Sequence, residues 1–275
     1  DSCQPHQLNQ RVSSHKELAL FAFPRRITAR TRCSRHEAAV LMPPKPVAIF
    51  GNASYSDLAW YCLMHDSDHA VSCFTVDSSY LKSDSHQGLP LVAFESLEAT
   101  HPPDTTHLLI PIGYHQQNSV RRDRYLNAKS RGYEFVSYVS RRASTWPDLV
   151  LGENCQIYEH AIVQPFVRIG HDTVVRSGAH ISYRCDIGDH VYIGSEVAIA
   201  GNAQVGDQCI LGVGAVVKDG VKLAECSMVA PGAVLFENTQ RGGLYIGNPA
   251  RKVSLDAPEA QALAAYWKDK ELPPP

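Results

Sequence analysis

Two positions near the start of the folded part of the chain have the right type and spacing to meet a charged small molecule. Val47–Phe50 is a short apolar run that ends in Gly51-Asn52-Ala53-Ser54-Tyr55-Ser56, and an apolar helix follows to Met64. Ala70–Val76 is a second apolar run closed by Asp77. A glycine between a first strand and a helix N-terminus leaves room for an anion on the free N–H groups of the helix. An acid at the end of the second strand stands where a ribose-binding carboxylate would. Only one glycine stands where a dinucleotide fingerprint has three, so the spacing fits nucleotide binding and also an ordinary strand–turn–helix. The eight cysteines form no CxxC pair. In a reducing compartment such residues read as small buried hydrophobes, in preference to disulfide partners or metal ligands.

The elements that must position Gly51 and Asp77 continue in the same style. Leu91–Phe94 reads as a strand, Glu95–Ala99 as a short helix start, His107–Ile112 as a strand, Gln116–Ser130 as a polar helix and Tyr133–Val139 as a further strand. Strands alternating with helices predict a small parallel α/β domain of Rossmann-like type over residues 45–147.

From Leu151 the pattern changes to a period of six. Leu151, Ile157, Val163, Ile169, Val175, Ile181, Ile187, Ile193, Ile199, Val205, Leu211, Val217, Leu223, Val229 and Leu235 share one register. Four places after each comes a small or β-branched residue, from Cys155 and Ala161 to Ala233 and Thr239, with Cys185 and Cys209 among them. Neither a helix nor a simple strand has this period; a parallel β-helix does, with one short strand and one corner per hexad. Leu151-Gly152-Glu153-Asn154, Ile169-Gly170-His171-Asp172, Ile187-Gly188-Asp189-His190 and Val205-Gly206-Asp207-Gln208 recur every eighteen residues, so three hexads close one triangular coil. Five coils about 4.8 Å apart make a prism roughly 24 Å tall over residues 148–239. The glycine after the aliphatic is expected to permit the tight corner. Trp146-Pro147-Asp148 leads into the prism. Residues 240–275 provide a cap and a short helix near Pro258–Trp267 that cover the last coil.

The formal net charge of −2 and pI near 6.7 argue against a general binder of nucleic acid or anionic membrane. No apolar run is long enough to cross a bilayer as a helix, and a cytoplasmic location without membrane insertion is expected. Residues 1–44 are rich in Arg, His, Ser and Gln and match nothing that follows. The expectation there is disorder, with Met42 as the natural start and an over-long reading frame before it; a transit peptide is the other reading.

Several stretches together resemble the hexapeptide-repeat sugar acyltransferases, in particular the sialic acid O-acetyltransferases and nucleotide amino-sugar N-acetyltransferases. They are Val47–Gly51, Leu108–Pro111, Arg131-Gly132-Tyr133, Val197–Gly201, Ile210–Val217 and Ile246-Gly247-Asn248-Pro249-Ala250, and the likeness spans roughly residues 46–253. The resemblance implies left-handed coils, a homotrimer, and acetyl-CoA or another acyl-CoA as co-substrate in a cleft between subunits, with no metal. It implies that Gly212, Val213, Gly214 and Ala215 face the pantetheine arm and that Asn248, Pro249, Ala250 and Arg251 approach the adenine. The sugar or nucleotide-sugar acceptor would rest near Gly51, Asn52, Ser54 and Asp77. Corner geometry alone would also account for Gly212 and Gly214.

The sequence departs from the family at three histidines. The catalytic-base slot reads Tyr183-Arg184, the acyl-contacting slot reads Tyr192, and the loop histidine of the first domain reads Tyr55. A base of pKa near 7 suits acyl transfer. A tyrosine of ordinary pKa, about 10, is protonated at neutrality, and arginine accepts no proton. Tyr183 could donate to an oxyanion or orient the acceptor. His180, on the preceding strand, is the substitute base in a rearranged site, while His160, His171 and His190 read as solvated surface residues. Three functions follow: an acyl-CoA-dependent acyltransferase acting on a sugar or nucleotide-linked amino sugar for surface polysaccharide; a catalytically silent trimeric binding or scaffold protein of the same fold; and a zinc hydro-lyase. His171 and His190 sit at different offsets in their hexads, which disfavours the last. The expectation is the acyltransferase.

Overall fold

The computed structural model describes residues 45–268. The expected start at Met42 and the character of residues 1–44 lie outside them.

Val47–Phe50 (β1) is apolar throughout because both of its faces are covered. It leads to α1 (Ser54–Asp66), β2 (Val71–Val76), a short strand β3 (Ser85–His86), β4 (Leu89–Ala93), β5 (His107–Leu109), α2 (Ser119–Ser130) and β6 (Glu134–Phe135). The six strands are ordered β3-β4-β2-β1-β5-β6. All pairings are parallel except that of β3 with β4. Helix α1 has no capping side chain at Ala53, and the Ser56 hydroxyl accepts from the Ala53 N–H at 2.8 Å instead. The α2 side of the sheet packs Phe50, Phe94, Leu97 and Tyr125 together. The α1 side packs Ile49, Leu63 and Phe74 into one cluster with Tyr158, Val174, Tyr192 and Ile210 of the prism.

The prism is a left-handed parallel β-helix of fifteen two-residue strands, β8 (Val150–Leu151) to β22 (Val234–Leu235). Each strand from β8 to β19 pairs in parallel with the strand eighteen residues on, as Val174–Val175 does with Tyr192–Ile193. Of the fifteen aliphatics, all but Leu151 are fully buried; Leu151 lies on the end coil and is partly covered. The first wall begins at β7 (Tyr138–Val139) and climbs through Gln156, Val174, Tyr192, Ile210 and Met228 to β23 (Leu244–Ile246) and antiparallel β24 (Arg251–Val253). The second wall presents Ile162, His180, Ala198, Val216 and Val234 outward, and the third Val150, Arg168, Asp186, Gln204 and Lys222. Helix α3 (Pro258–Lys268) follows the cap.

The corner glycines do a different job from the one expected. No residue directly after an inward aliphatic has positive φ. A Cβ on Gly170 would lie 2.7 Å from the Gly188 carbonyl carbon of the next coil, so glycine is needed there for close stacking of backbones. The left-handed turn falls two places later, at Asn154, His160, Phe166, Asp172, Gly178, Arg184, His190 and their equivalents to Gly232. Asn, Asp and Gly are the residues that tolerate it best.

Candidate functional site

The loop after β1 turns at Gly51 with φ of 104°, a conformation that requires glycine. Asn52 Oδ1 beyond it is buried with no hydrogen-bond partner, and Ser54 is exposed. Asp77 does end β2, and its carboxylate receives Arg124 of α2 at 2.5 and 3.2 Å. Tyr55 projects from the first turn of α1 onto the prism, where its hydroxyl lies 3.3 Å from that of Tyr192. Two of the three positions at which the sequence departs from the acyltransferases are therefore one contact, made across 137 residues. Burial pushes the Tyr192 phenol well above the usual tyrosine range, with the nearby Tyr55 adding to the rise. Tyr192 therefore keeps its phenolic proton at neutral pH. Tyr114 meets the Tyr192 ring edge-on at 4.8 Å.

Tyr183 lies elsewhere in the chain. It is 46% exposed at the corner between second and third walls, with its ring laid over Gly201 of the next coil. A Cβ on Gly201 would come within 2.7 Å of that ring. Arg184 beside it stacks on Phe166 at 5.8 Å. His180 points out from the second wall, and its Nε2 is buried without a partner. Tyr183 and Tyr192 thus occupy different faces of one protomer.

Gly212–Ala215 forms the corner between first and second walls. Val213 is 57% exposed, Gly214 has φ of 67° with open space beside its Cα, and Ala215 is buried inside the prism. The Asn248–Pro249 bond is cis, both residues are exposed, and the Arg251 guanidinium returns to the Ala250 carbonyl at 3.1 Å. An open groove of 480 Å³ runs along the third wall past Asp186, Gln204 and Lys222. None of the candidate catalytic, CoA-binding or acceptor-binding residues lines it.

Residues the sequence did not single out hold the sheet to the prism. Arg121 of α2 is wholly buried. Its guanidinium donates to Asp172, to the carbonyls of Ile112, Gly113, His190 and Val191, and to Asn118. Asp172 also meets His190 at 2.7 Å and Asn154 at 2.6 Å. His190 is therefore a buried partner of Asp172, contrary to the surface position expected, because α2 covers its corner. His171 remains exposed beside Glu153. Arg176, also unforeseen, lies over the rings of Tyr158 at 4.3 Å and Tyr55 at 5.6 Å. No group of three metal-binding side chains gathers among the described residues.

The cysteines of the small inward column behave as spacers. The thiols of Cys155, Cys185 and Cys209 each donate to a carbonyl fifteen residues on, at 3.0, 3.2 and 3.2 Å. Thr173 uses its hydroxyl in the same way. Burial pushes Cys155 and Cys209 up to about 12 and Cys185 up to about 11.

Comparison with known proteins agrees with this architecture. A sequence model of the bacterial transferase hexapeptide family (six repeats) matches residues 184–219. A His-to-Asn mutant of perosamine N-acetyltransferase from Caulobacter crescentus, solved with CoA and GDP-perosamine, is similar with 24% identity and a TM-score of 0.70 over 77% of this chain and 98% of that one. The acetyltransferase domain of PglB from Neisseria gonorrhoeae is similar at 19% identity and a TM-score of 0.67, over 76% of this chain and 100% of that domain. WeeI from Acinetobacter baumannii is similar at 20% identity and 0.65, over 76% and 99%. The chain thus has the two-part fold of these proteins.

Proposed function

We propose that the protein is an acyl-CoA-dependent acyltransferase, with acetyl-CoA as donor and a sugar or nucleotide-linked amino sugar as acceptor, in surface polysaccharide synthesis. The observation that carries this reading is the contact of Tyr55, at the end of the Gly51–Tyr55 loop, with Tyr192 of the prism, together with a corner at Val213 and Gly214 that is open to solvent. The names of similar proteins support it: one was solved with CoA and GDP-perosamine, another is an acetyltransferase domain. The apolar outward column Ile162, Ala198, Val216 and Val234 suits burial in a homotrimer, where Tyr183 of one protomer can approach the acceptor loop of another.

In this mechanism the acceptor amine or hydroxyl attacks the thioester carbonyl carbon, the C–S bond breaks, and the CoA sulfur leaves and takes up a proton. His180 is assigned to receive the acceptor's proton, as the histidine on the strand before Tyr183. Tyr183, exposed and held over Gly201, donates to the developing oxyanion. Arg184 adds positive charge nearby. Val213 and Gly214 border the pantetheine, and Asn248, Pro249, Ala250 and Arg251 the adenine. Release of free CoA thiol from an acyl-CoA panel tests the assignment. His180→Ala should lower turnover by about 10²–10⁴-fold and Tyr183→Phe by about 10²-fold. No turnover and no thermal response to any acyl-CoA would falsify it.

A second reading is favoured by the Tyr55–Tyr192 contact, which closes two of the three substituted positions onto each other. It is a trimeric binding or scaffold protein that holds CoA or a nucleotide sugar without turnover. Tight binding of CoA with no thiol release from any acyl-CoA distinguishes it.

A further inference from the structure

Five residues turn left-handed at the corner between first and second walls, one in each coil. They are His160, Gly178, Glu196, Gly214 and Gly232, with φ from 57° to 74°. The corners stack directly: the Gly214 N–H donates to the Ser195 carbonyl at 2.9 Å, and the Gly232 N–H to the Val213 carbonyl at 2.9 Å. Gly214 and Gly232 leave open space beside their Cα atoms. Glu196 is thus the only one of the upper four that carries a side chain, at a turn where glycine is the residue without strain. Its carboxylate folds down over Gly178, where a Cβ would collide with it. The residue is exposed, and among the described residues its carboxylate has no hydrogen-bond or ion-pair partner. The charged residues below it on this corner are otherwise engaged. Arg176, one coil down, turns its guanidinium onto Tyr158 and Tyr55, and Glu159, two coils down, accepts from the Ser177 hydroxyl at 2.8 Å. No contact within the fold accounts for a glutamate at this turn.

The proposed donor runs from its adenine end at the cap, residues 248–251, past Val213 and Gly214 on the fourth coil. One coil further down the same corner, about 4.8 Å, it reaches Ser195 and Glu196 on the third. That coil also carries Tyr192, which Tyr55 of the acceptor loop touches. The acyl group is thus brought to the Glu196 carboxylate. We propose that Glu196 is a specificity-determining residue for the acyl donor: its charge turns away CoA thioesters whose acyl chain ends in a carboxylate and leaves neutral acyl groups free to enter. The inference rests on the acyltransferase reading and adds to it a rule of charge for the donor. Two carboxylates side by side repel, and more strongly in a cleft than in bulk water. Such a repulsive element rejects the wrong ligand without needing a contact to the right one. Gly178 completes the arrangement, since its missing Cβ is what lets the carboxylate lie against the corner.

Calorimetric titration of the full chain with butyryl-CoA and succinyl-CoA tests this apart from any turnover. The two acyl chains have the same length and end in methyl against carboxylate; propionyl-CoA and malonyl-CoA repeat the comparison one carbon shorter. The wild type should bind the neutral member about fivefold or more tighter at low salt in at least one pair. That preference should shrink several-fold at about 0.5 M salt, as a charge effect must. Glu196→Gln should bring it to about one, and Glu196→Lys should reverse it. Glu159→Gln, whose carboxylate is already bonded to Ser177, should keep the wild-type preference. Equal binding of neutral and acidic thioesters by the wild type, a preference that survives Glu196→Gln, or the same loss from Glu159→Gln overturns the assignment. If Glu196→Gln alters the oligomeric state in sedimentation and not the preference, the residue is a subunit contact and the assignment falls. Binding of no thioester at all overturns this inference together with the acyltransferase reading, whereas binding without discrimination overturns this one alone.

Discussion

Replacing Arg121 with methionine removes a cation that makes seven hydrogen bonds in the seam between α2 and the prism. Breaking a buried ion pair from one side costs about 3–5 kcal/mol. Asp172 would keep Asn154 at 2.6 Å and His190 at 2.7 Å, so its charge is not left bare. The carbonyls of Ile112, Gly113, His190 and Val191 lose a donor each, and methionine restores part of the packing. These terms place the loss near the lower end, about 3 kcal/mol, a large share of the 5–15 kcal/mol of an ordinary domain. Urea unfolding at fixed protomer concentration measures it. Neutralising the partner as well, in Arg121→Met/Asp172→Asn, should be less damaging than the sum of the single changes by about 1–2 kcal/mol. A loss under about 1 kcal/mol, or strict additivity in the double variant, would refute the view that this network fastens the sheet to the prism.

Two further outcomes follow from the coil geometry and the thiols. Gly170→Ala drives a Cβ to 2.7 Å from the backbone of the next coil, whereas Gly214→Ala meets only open space and a φ of 67°. Thermal melting should show a loss of about 1–3 kcal/mol for the first and about 1 kcal/mol for the second; the reverse order would contradict the stacking role. The thiols of Cys155, Cys185 and Cys209 are raised from 9.0 to about 12, 11 and 12 by burial. A raised pKa in the folded state gives stability that is complete below about pH 9 and lost as pH rises through about 11–12. Native protein should therefore resist a thiol reagent at these three positions at pH 8, and circular dichroism should show base unfolding between pH 9 and 12. Rapid labelling of all three at pH 8 would contradict their burial.

The prism was legible because each hexad repeats the same local problem. Ile181 needs the same inward site as Ile187 and Val205, and fifteen solutions in one register leave no rival period. The column that takes the left-handed turn is visible as well, in Asn154, Asp172, His190 and Asn202, although the glycines after Leu151, Ile169, Ile187 and Val205 are the more conspicuous feature. The α/β sheet is legible in the order of β1, β2, β4 and β5, but β3 carries no sequence signal, Tyr133–Val139 divides into β6 of the sheet and β7 of the prism, and ends shift by a few residues, as at α2, which begins at Ser119 and not Gln116. What sequence spacing could not give are contacts between distant elements. The polar pattern of α2 suits a solvated helix, and nothing local marks Arg121 as the residue that finds Asp172 51 positions away. The Tyr55–Tyr192 and Arg176–Tyr55 contacts are of the same kind.

Strand β7 belongs to the polypeptide of the sheet and yet is the bottom rung of the first wall, paired with Gln156–Ile157. Swinging one part away from the other would tear that rung out of its ladder and uncover Tyr138 and Tyr158. Rotation of the sheet against the prism would therefore have to break the packed seam beside this rung. Selectivity has to be cast into the resting shape, and any adjustment on binding must come from side chains and short loops around a rigid seat.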